Sequence, residues 1–441
     1  MIFFVYSTES DSSISKNLGA ADYSYFFVMK VFLPVLRRLG RVEIVKKLEK
    51  LDAKYAAVKA RGETALLLAF TPPHKTPPGL NCPTIPVFAW EYSTIPNESW
   101  ANDWRHNWVQ VLSGMEAAIT HSRFAETAVK EVLNSDYPIA SLPAPLWDKF
   151  AALYRPETSP ISAAWKISVK GVVLDSHQLG LRETHNVNTP VFTPKQQRLV
   201  LEGIVYTSVF NPNDGRKNWT DMLSAFCFAF REQPNVTLLM KLAFFDSDLA
   251  CNMVWSEMKK NAPFQCRVVA VQGYLEGESY RQLVANTTYI VNSSYGEGQC
   301  LPLMEFMSAG KPAIAPDHSG MADYINAENA FVVRSNREWT HWPHDPRLVL
   351  RAFRYQIDWE SLRDAFLDSF AIAANETEKY KAMAARANRE LEQHCSQIAI
   401  AKRLQEFLVR QGYEPDHRAS IEDTWYSRNR LWQFIIRRCV H

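Results

Sequence analysis

The chain predicts an α/β protein built from two open, mostly parallel sheets, each covered by helices on both faces. Three observations lead there. Short apolar strands alternate with helix-length segments through residues 2–142, and again from about 199 to 333; this alternation builds parallel sheets whose crossovers are helices. A total of 441 residues exceeds one ordinary core and suits two. A stretch that loses the periodicity, carrying Pro156, Pro160, Pro190 and Pro194, separates the two runs.

In the first run the strand candidates are Ile2–Tyr6, Ala65–Phe70, Ile85–Trp90, Ala117–Thr120 and Ile139–Leu142. Helical patterns lie between them at Asp22–Leu39, Val42–Arg61, Trp104–Met115 and Arg123–Leu133. Leu146–Lys195 reads as a connector with a small hairpin around Ser168–Leu174. The second run offers strands at Leu199–Tyr206, Val236–Leu242, Val268–Val271, Tyr289–Asn292, Ala313–Ala315 and Ala330–Val333, and helices at Trp219–Arg231, Glu278–Ala285, Leu301–Ala309 and Pro346–Tyr355. Glu360–Arg410 is rich in Ala, Glu, Lys and Leu and reads as helix. The expected division is a first domain with connector at 1–195, a second at 196–375, and terminal helices at 376–441.

Composition narrows the function. A formal net charge of +2 argues against a nucleic-acid partner. The 7 cysteines form no C-x-x-C pair, which points to reduced thiols in a cytoplasm rather than a disulfide framework or zinc ribbon. The apolar start Met1–Tyr6 lacks a basic leader and fits a first buried strand. No apolar stretch is long enough to span a bilayer; Tyr25–Leu36 is interrupted by Lys30 and Pro34. The end, Tyr426–His441, sets Arg428, Arg430, Arg437 and Arg438 among Leu431, Trp432 and Phe434. It suits a helix packed on the body or a peripheral contact with an anionic membrane at its inner face. Glycine is scarce, 16 in the whole chain, so its clustering is informative.

Ligands of open parallel sheets bind where strands end. The strand Tyr289–Asn292 runs into Ser293-Ser294-Tyr295-Gly296-Glu297-Gly298, a helix follows, and Gly310 closes it. A helix start with free N–H groups and nearby glycines is a site for an anionic or polar ligand. Glu297 and Glu305 stand eight residues apart, roughly 10–12 Å along a helix, too far to share one reacting atom but suited to two rings of one extended ligand. A second strand ends in Asn211-Pro212-Asn213-Asp214-Gly215-Arg216-Lys217-Asn218, a cationic strand-to-helix loop able to neutralise a diphosphate.

The phrase E-G-x-x-L-P-x-x-E, Glu297 to Glu305, followed by Gly310-Lys311-Pro312, resembles the nucleotide-sugar site of retaining GT-B glycosyltransferases, especially glycosyltransferase family 4. The resemblance covers about Leu199–Val333 and implies two Rossmann-like domains facing a central cleft. It implies that Glu297 faces the donor sugar, Glu305 holds the nucleotide ribose, and the backbone at Gly298, Gln299, Cys300 and Leu301 lines sugar and diphosphate. Arg216 and Lys217 would stabilise the departing nucleoside diphosphate, where relatives often write Arg-Lys-Gly. Lys241, at a strand end, would reach a ribose or phosphate or form an edge salt bridge. Tyr274 lies where relatives seat the base, and Gly19 in the loop that approaches donor and acceptor. Cys300 departs from the pattern: relatives often place glycine there, and a cysteine fits if its φ is negative.

Glu91, closing Phe88–Tyr92, and His121, closing Ala117–Thr120, are acceptor-site candidates, with structural hydrogen bonding as the plainer reading of His121. No Walker loop and no metal-binding cluster occurs. Asp246-Ser247-Asp248 reads as a helix cap or solvated loop. The expected activity is transfer of a sugar from a UDP- or GDP-sugar, as co-substrate and without a metal, to a glycan or lipid-linked acceptor, in the cytoplasm or at the inner face of its membrane. A nucleotide-sugar epimerase of the same fold, or a non-catalytic binder, are the rivals.

Overall fold

The computed structural model describes residues 1–8, 23–273, 275, 277–343 and 345–415. Gly19, Tyr274 and the basic segment Tyr426–His441 lie outside the described residues.

The first sheet contains β1 (Ile2–Ser7), β2 (Arg41–Ile44), β3 (Ala65–Phe70), β4 (Thr84–Phe88), β5 (Ala118–Thr120) and β6 (Ile139–Ser141). Their order is β2-β1-β3-β4-β5-β6, all parallel. The continuous apolar runs are explained by burial on both faces: every residue of β3 and β4 is buried. Helices α1 (Tyr23–Leu39), α2 (Leu51–Lys59), α3 (Trp108–Ser113), α4 (Arg123–Lys130) and α5 (Trp147–Phe150) accompany it. Asn107 and Ser122 start α3 and α4 by accepting from Gln110 N and Ala125 N. The helix expected at Val42–Arg61 is instead β2 followed by α2. Arg41–Ile44 is β-branched at Val42 and Ile44 and finds the open edge of β1, so pairing wins over helix propensity.

The second sheet pairs β13 (Ala330–Val332), β12 (Ala313–Ala315), β11 (Tyr289–Val291), β8 (Lys195–Phe210), β9 (Val236–Leu242) and β10 (Arg267–Gln272) successively in parallel. Helices α6 (Trp219–Ala229), α7 (Ser247–Asn261), α8 (Gly277–Asn286) and α9 (Leu301–Ser308) cross over it. Asp246 caps α7 by accepting from Leu249 N, which settles the Asp-Ser-Asp segment as a helix start. The expected connector differs: Ser162–Asp175 is a long strand, β7, antiparallel to the first half of β8 and then to β10. The second sheet thus begins at Ser162 rather than after residue 195. Half of β7 is solvent-facing, so its polar alternation gave no apolar run to read.

A second difference has larger consequences. Pro346–Tyr355, expected as helix, contributes to a hairpin of β14 (Ser335–His341) and β15 (Arg351–Ile357). The hairpin leaves its own domain and packs on the first. Trp342 and Ala352 are buried in one apolar cluster with Trp90, Tyr92 and Trp108. Thr94 Oγ1 donates to Arg351 O at 2.7 Å, Phe353 N to Ser93 Oγ at 3.2 Å, and Arg347 pairs with Glu98 at 2.9 Å.

Helices α10 (Trp359–Asn375), α11 (Thr377–Cys395) and α12 (Gln397–Arg410) end the described chain. They return to the first domain: Leu404, Phe407 and Leu408 share a core with Leu36 and Leu39 of α1. Gln397 N donates to Asp148 Oδ2 at 2.7 Å and Trp147 Nε1 to Asn388 O at 3.0 Å. Among the described residues, no helix is long and apolar enough to cross a membrane.

Candidate active site between the two domains

A cleft of about 1010 Å³ separates the sheets' carboxyl ends. Its floor is the turn from β11 into α9. Glu297, 4% exposed, sits there with both oxygens engaged. Lys217 Nζ approaches Oε1 at 2.7 Å and Arg216 Nη1 approaches Oε2 at 3.1 Å. Ser294 Oγ and Asn292 Nδ2 donate to Oε1 at 2.6 and 3.3 Å. Burial by itself would raise this carboxyl, but Lys217 and Arg216, helped by the Ser294 hydroxyl, hold it well below the usual carboxylate range. Glu297 is therefore a fixed anion inside the protein.

The cations come from a single turn, Gly215–Lys217, opened by Asp214, whose side chain accepts from Arg216 N at 3.1 Å. Asn218 closes it at φ 47°. The turn puts Lys217 and Arg216 on either side of Glu297, 80 residues from Lys217 in sequence. Arg216 lines the cleft and lies among three carboxylates: Glu297, Asp214 at 3.0 Å and Glu91 at 3.3 Å. Burial would lower the guanidinium; these carboxylates raise it well above its ordinary value. Glu91 is itself raised by burial, against the opposing pull of Arg216. Glu91 thus belongs to the site, reaching in from the end of β4 across the domain boundary.

Gly298, Gln299, Cys300 and Leu301 line the cleft at the start of α9. Gln299 sends its side chain away: Ala144 N donates to its Oε1 at 2.9 Å, tying the motif to the first domain. Tyr324 OH donates to the Gln299 carbonyl at 2.9 Å. Cys300 adopts φ 56°, ψ 75°, the left-handed region that favours glycine, rather than the negative φ that would suit it. Asn292 Nδ2 lies 3.3 Å from its Sγ. The site glycines also differ from expectation. A Cβ on Gly296 would stand 2.9 Å from the Glu91 carbonyl, and one on Gly320 would stand 2.3 Å from the Gly298 carbonyl. These two positions admit protein backbone, one of them from the other domain, rather than a ligand.

Glu305 is not among the cleft residues. Its carboxylate accepts the hydroxyl of Tyr280 from α8, and burial raises its pKa against that bond. Lys241 is buried at the end of β9, its Nζ donating to Leu242 O at 2.9 Å, and burial lowers its ammonium to about 8. It does not line the cleft. His121 does not either. Its Nδ1 lies 2.8 Å from Leu142 O, its Nε2 has no partner among the described residues, and burial lowers it to about 4. His121 is a neutral structural imidazole here, the plainer of its two readings. Among the described residues no group of three or more His, Cys, Asp or Glu gathers as a metal site.

Sequence reasoning missed most of the upper wall. Trp90, Trp100 and Trp108 from the first domain and His341 and Trp342 from the hairpin line the cleft, as does Asp214. In the loop after β12, the Ser319 hydroxyl accepts from Glu297 N at 2.9 Å and so fixes the motif backbone. The 13 tryptophans were the available signal, but only folding places Trp342 beside Trp90.

Residues 250–341 match the family model of the glycosyl transferases of group 1. No curated protein matches the chain. Among solved structures, the chain is similar to HepE of Anabaena, in complexes with UDP and glucose and with UDP-glucose. The first of these has 14% identity and a TM-score of 0.55, covering 92% of this chain and 99% of that one. Sucrose-phosphate synthase of Thermosynechococcus elongatus has 14% identity and a TM-score of 0.55, with 93% and 98% covered. A glycosyltransferase of Rickettsia africae has 13% identity and a TM-score of 0.53, with 92% and 97% covered. At such identities the structures establish the GT-B architecture, and the matched segment carries the enzyme class, a glycosyltransferase.

Proposed function

We propose that this chain, a group 1 glycosyl transferase segment within a GT-B fold, is a retaining hexosyltransferase that uses a UDP- or GDP-sugar. One observation carries the proposal: the buried anion Glu297, clamped by Lys217 and Arg216 at the start of α9, on the floor of an interdomain cleft. Lys217 and the α9 N-terminus place positive charge where a diphosphate leaves, without a resident metal. Glu297 accepts hydroxyl hydrogen bonds from the donor sugar. By the resemblance Glu305, held by Tyr280 and not among the residues lining the cleft, takes the nucleotide ribose. Arg216 acts through Glu297 and Glu91, holding both carboxylates in place.

Retention follows a front-face path. The acceptor oxygen bonds to the anomeric carbon as the bond to the phosphate oxygen breaks, and the acceptor proton passes to that phosphate. The committed state of Glu297 supports this path: a carboxylate paired with two cations is a poor nucleophile. The acceptor is a glycan or lipid-linked glycan of surface polysaccharide synthesis, at the cytoplasmic side of the membrane, where the basic end of the chain would make peripheral contact.

A thermal-shift panel of UDP-, GDP- and ADP-sugars tests the donor assignment. A donor at ~100 times its Kd adds about 2.7 kcal/mol of stability. A flat response to all three overturns the reading.

A further inference from the structure

We propose that a second cavity, separate from the cleft, binds a small phosphomonoester through Arg123, Arg403 and His394, independently of the transferase reading above. This pocket of about 470 Å³ lies at the edge of the first sheet, between β6, α4 and α12, and shares no lining residue with the cleft. Its volume falls within the roughly 300–1,000 Å³ of small-molecule sites and leaves room for an organic group beside an anion. Three parts of the chain meet in it. Arg123 opens α4 in the first domain, Asp323 follows β12 in the second, and Arg403 and Arg410 belong to α12. Asp323 Oδ2 accepts from Arg123 N at 2.9 Å and so joins the two domains there.

The guanidiniums of Arg123, Arg403 and Arg410 line this pocket, and none of them forms an ion pair among the described residues. By contrast Arg216, Arg267 and Arg347 each meet a carboxylate, at 3.0, 2.7 and 2.9 Å. Arg403, half-buried, is held by backbone alone: Nη2 donates to His394 O and Nε to Ala399 O at 3.4 Å, which leaves Nη1 uncommitted among the described residues. Arg123 stands near enough to repel it. Burial lowers the Arg403 guanidinium, and Arg123 lowers it further. His394, at the end of α11, feels the same field. Burial, then Arg403 and Arg123, hold its imidazole down to about 3. The ring is therefore neutral near pH 7 and carries one N–H, and neither ring nitrogen has a hydrogen-bond partner among the described residues.

The carboxylates of the pocket do not fill this gap. Glu126 is committed to Lys130 at 2.8 Å, Asp136 accepts from Ser135 Oγ at 3.3 Å, and Asp323 is committed to the α4 backbone. Glu406 is exposed on α12 and forms no ion pair among the described residues. A phosphate dianion between Arg123 and Arg403 turns a repulsion into two charge-assisted attractions, and the planar forks match its oxygens. The free N–H of His394 adds a third donor. A neutral ligand would leave both guanidiniums unpaired, and a cation would meet them directly.

The test is titration calorimetry on the full chain with glucose 6-phosphate, glucose 1-phosphate and glycerol 3-phosphate. Inorganic phosphate and sodium chloride at matched ionic strength are the controls, and a thermal melt checks the fold of each variant. At least one monoester should bind more tightly than inorganic phosphate. Arg123→Gln and Arg403→Gln should each weaken it about tenfold or more, each removing a charge-assisted contact. Arg123 is exposed, so its replacement tests the site even if Arg403→Gln unfolds the chain by freeing the end of α11. Lys217→Ala, in the cleft, should leave monoester binding unchanged. The proposal is overturned if no monoester binds, if chloride or inorganic phosphate binds as well, or if a folded arginine variant binds like the parent. Binding lost in Lys217→Ala places the ligand in the cleft and overturns it too. None of these outcomes touches the donor assignment, which the nucleotide-sugar panel decides separately.

Discussion

Replacing Cys300 by glycine and by alanine should change stability to different extents. The residue sits at φ 56°, ψ 75°, directly before α9. A side chain in this region costs of order 1–3 kcal/mol. Alanine keeps that cost and glycine removes it. Glycine pays back about 0.4–1 kcal/mol through the greater freedom of its unfolded chain. Both variants lose the buried Sγ and its contact with Asn292, so that loss cancels between them. The net is a Cys300→Gly chain more stable than Cys300→Ala by about 1 kcal/mol. Lost burial of the thiol, about 0.8 kcal/mol, leaves the glycine variant near the parent and the alanine variant below it. Parallel urea melts of the full chains read the ranking from the midpoints at unchanged slope. Two domains make the ranking firmer than any absolute unfolding energy. An alanine variant equal to or more stable than the glycine variant refutes the claim that backbone strain is stored at the start of α9.

Three further outcomes follow from named contacts. Lys217→Ala removes the 2.7 Å partner of Glu297 but leaves Arg216, so stability should fall by about 2 kcal/mol and turnover with the donor by roughly 10²–10³; turnover within tenfold of the parent would argue against the role given to Lys217. Gly320→Ala drives a Cβ to 2.3 Å from the Gly298 carbonyl, and should cost about 3 kcal/mol in a thermal or urea melt; a silent substitution would mean that the motif backbone yields freely. Burial lowers Lys241 to about 8 from an ordinary ~10.4, so between those values the unfolded chain holds a proton that the folded one has released, and stability rises with pH across that window. Lys241→Met should flatten the rise in part, because Lys311 is lowered to the same region and keeps its own share; an unchanged slope contradicts the burial of Lys241.

Much of this was legible along the chain. β3, β9 and β12 lie within a residue of the largely apolar runs that announced them, because strands buried on both faces need mostly apolar sequence. Polar surfaces hid the remainder. β7 and β14 alternate exposed and covered residues, and Leu350–Tyr355 carries more helix formers (Leu350, Arg351, Ala352 and Arg354) than strand formers (Phe353 and Tyr355), yet Arg351–Ile357 pairs with β14.

The sequence by itself determined two sheets, the strand–turn–helix at Glu297 and the cationic turn at Arg216-Lys217, since each is a local matter of periodicity, caps and spacing. Only the tertiary structure decided what those groups meet. It set Glu91 against Arg216, 125 positions on in the numbering of one salt bridge. It turned Gly296 and Gly320 toward backbone, forced Cys300 into a glycine conformation, and carried Trp342 into the other domain's aromatic cluster. Such contacts depend on how two separately readable domains pack, and neither charge nor ring at one position specifies its partner a hundred or more residues away.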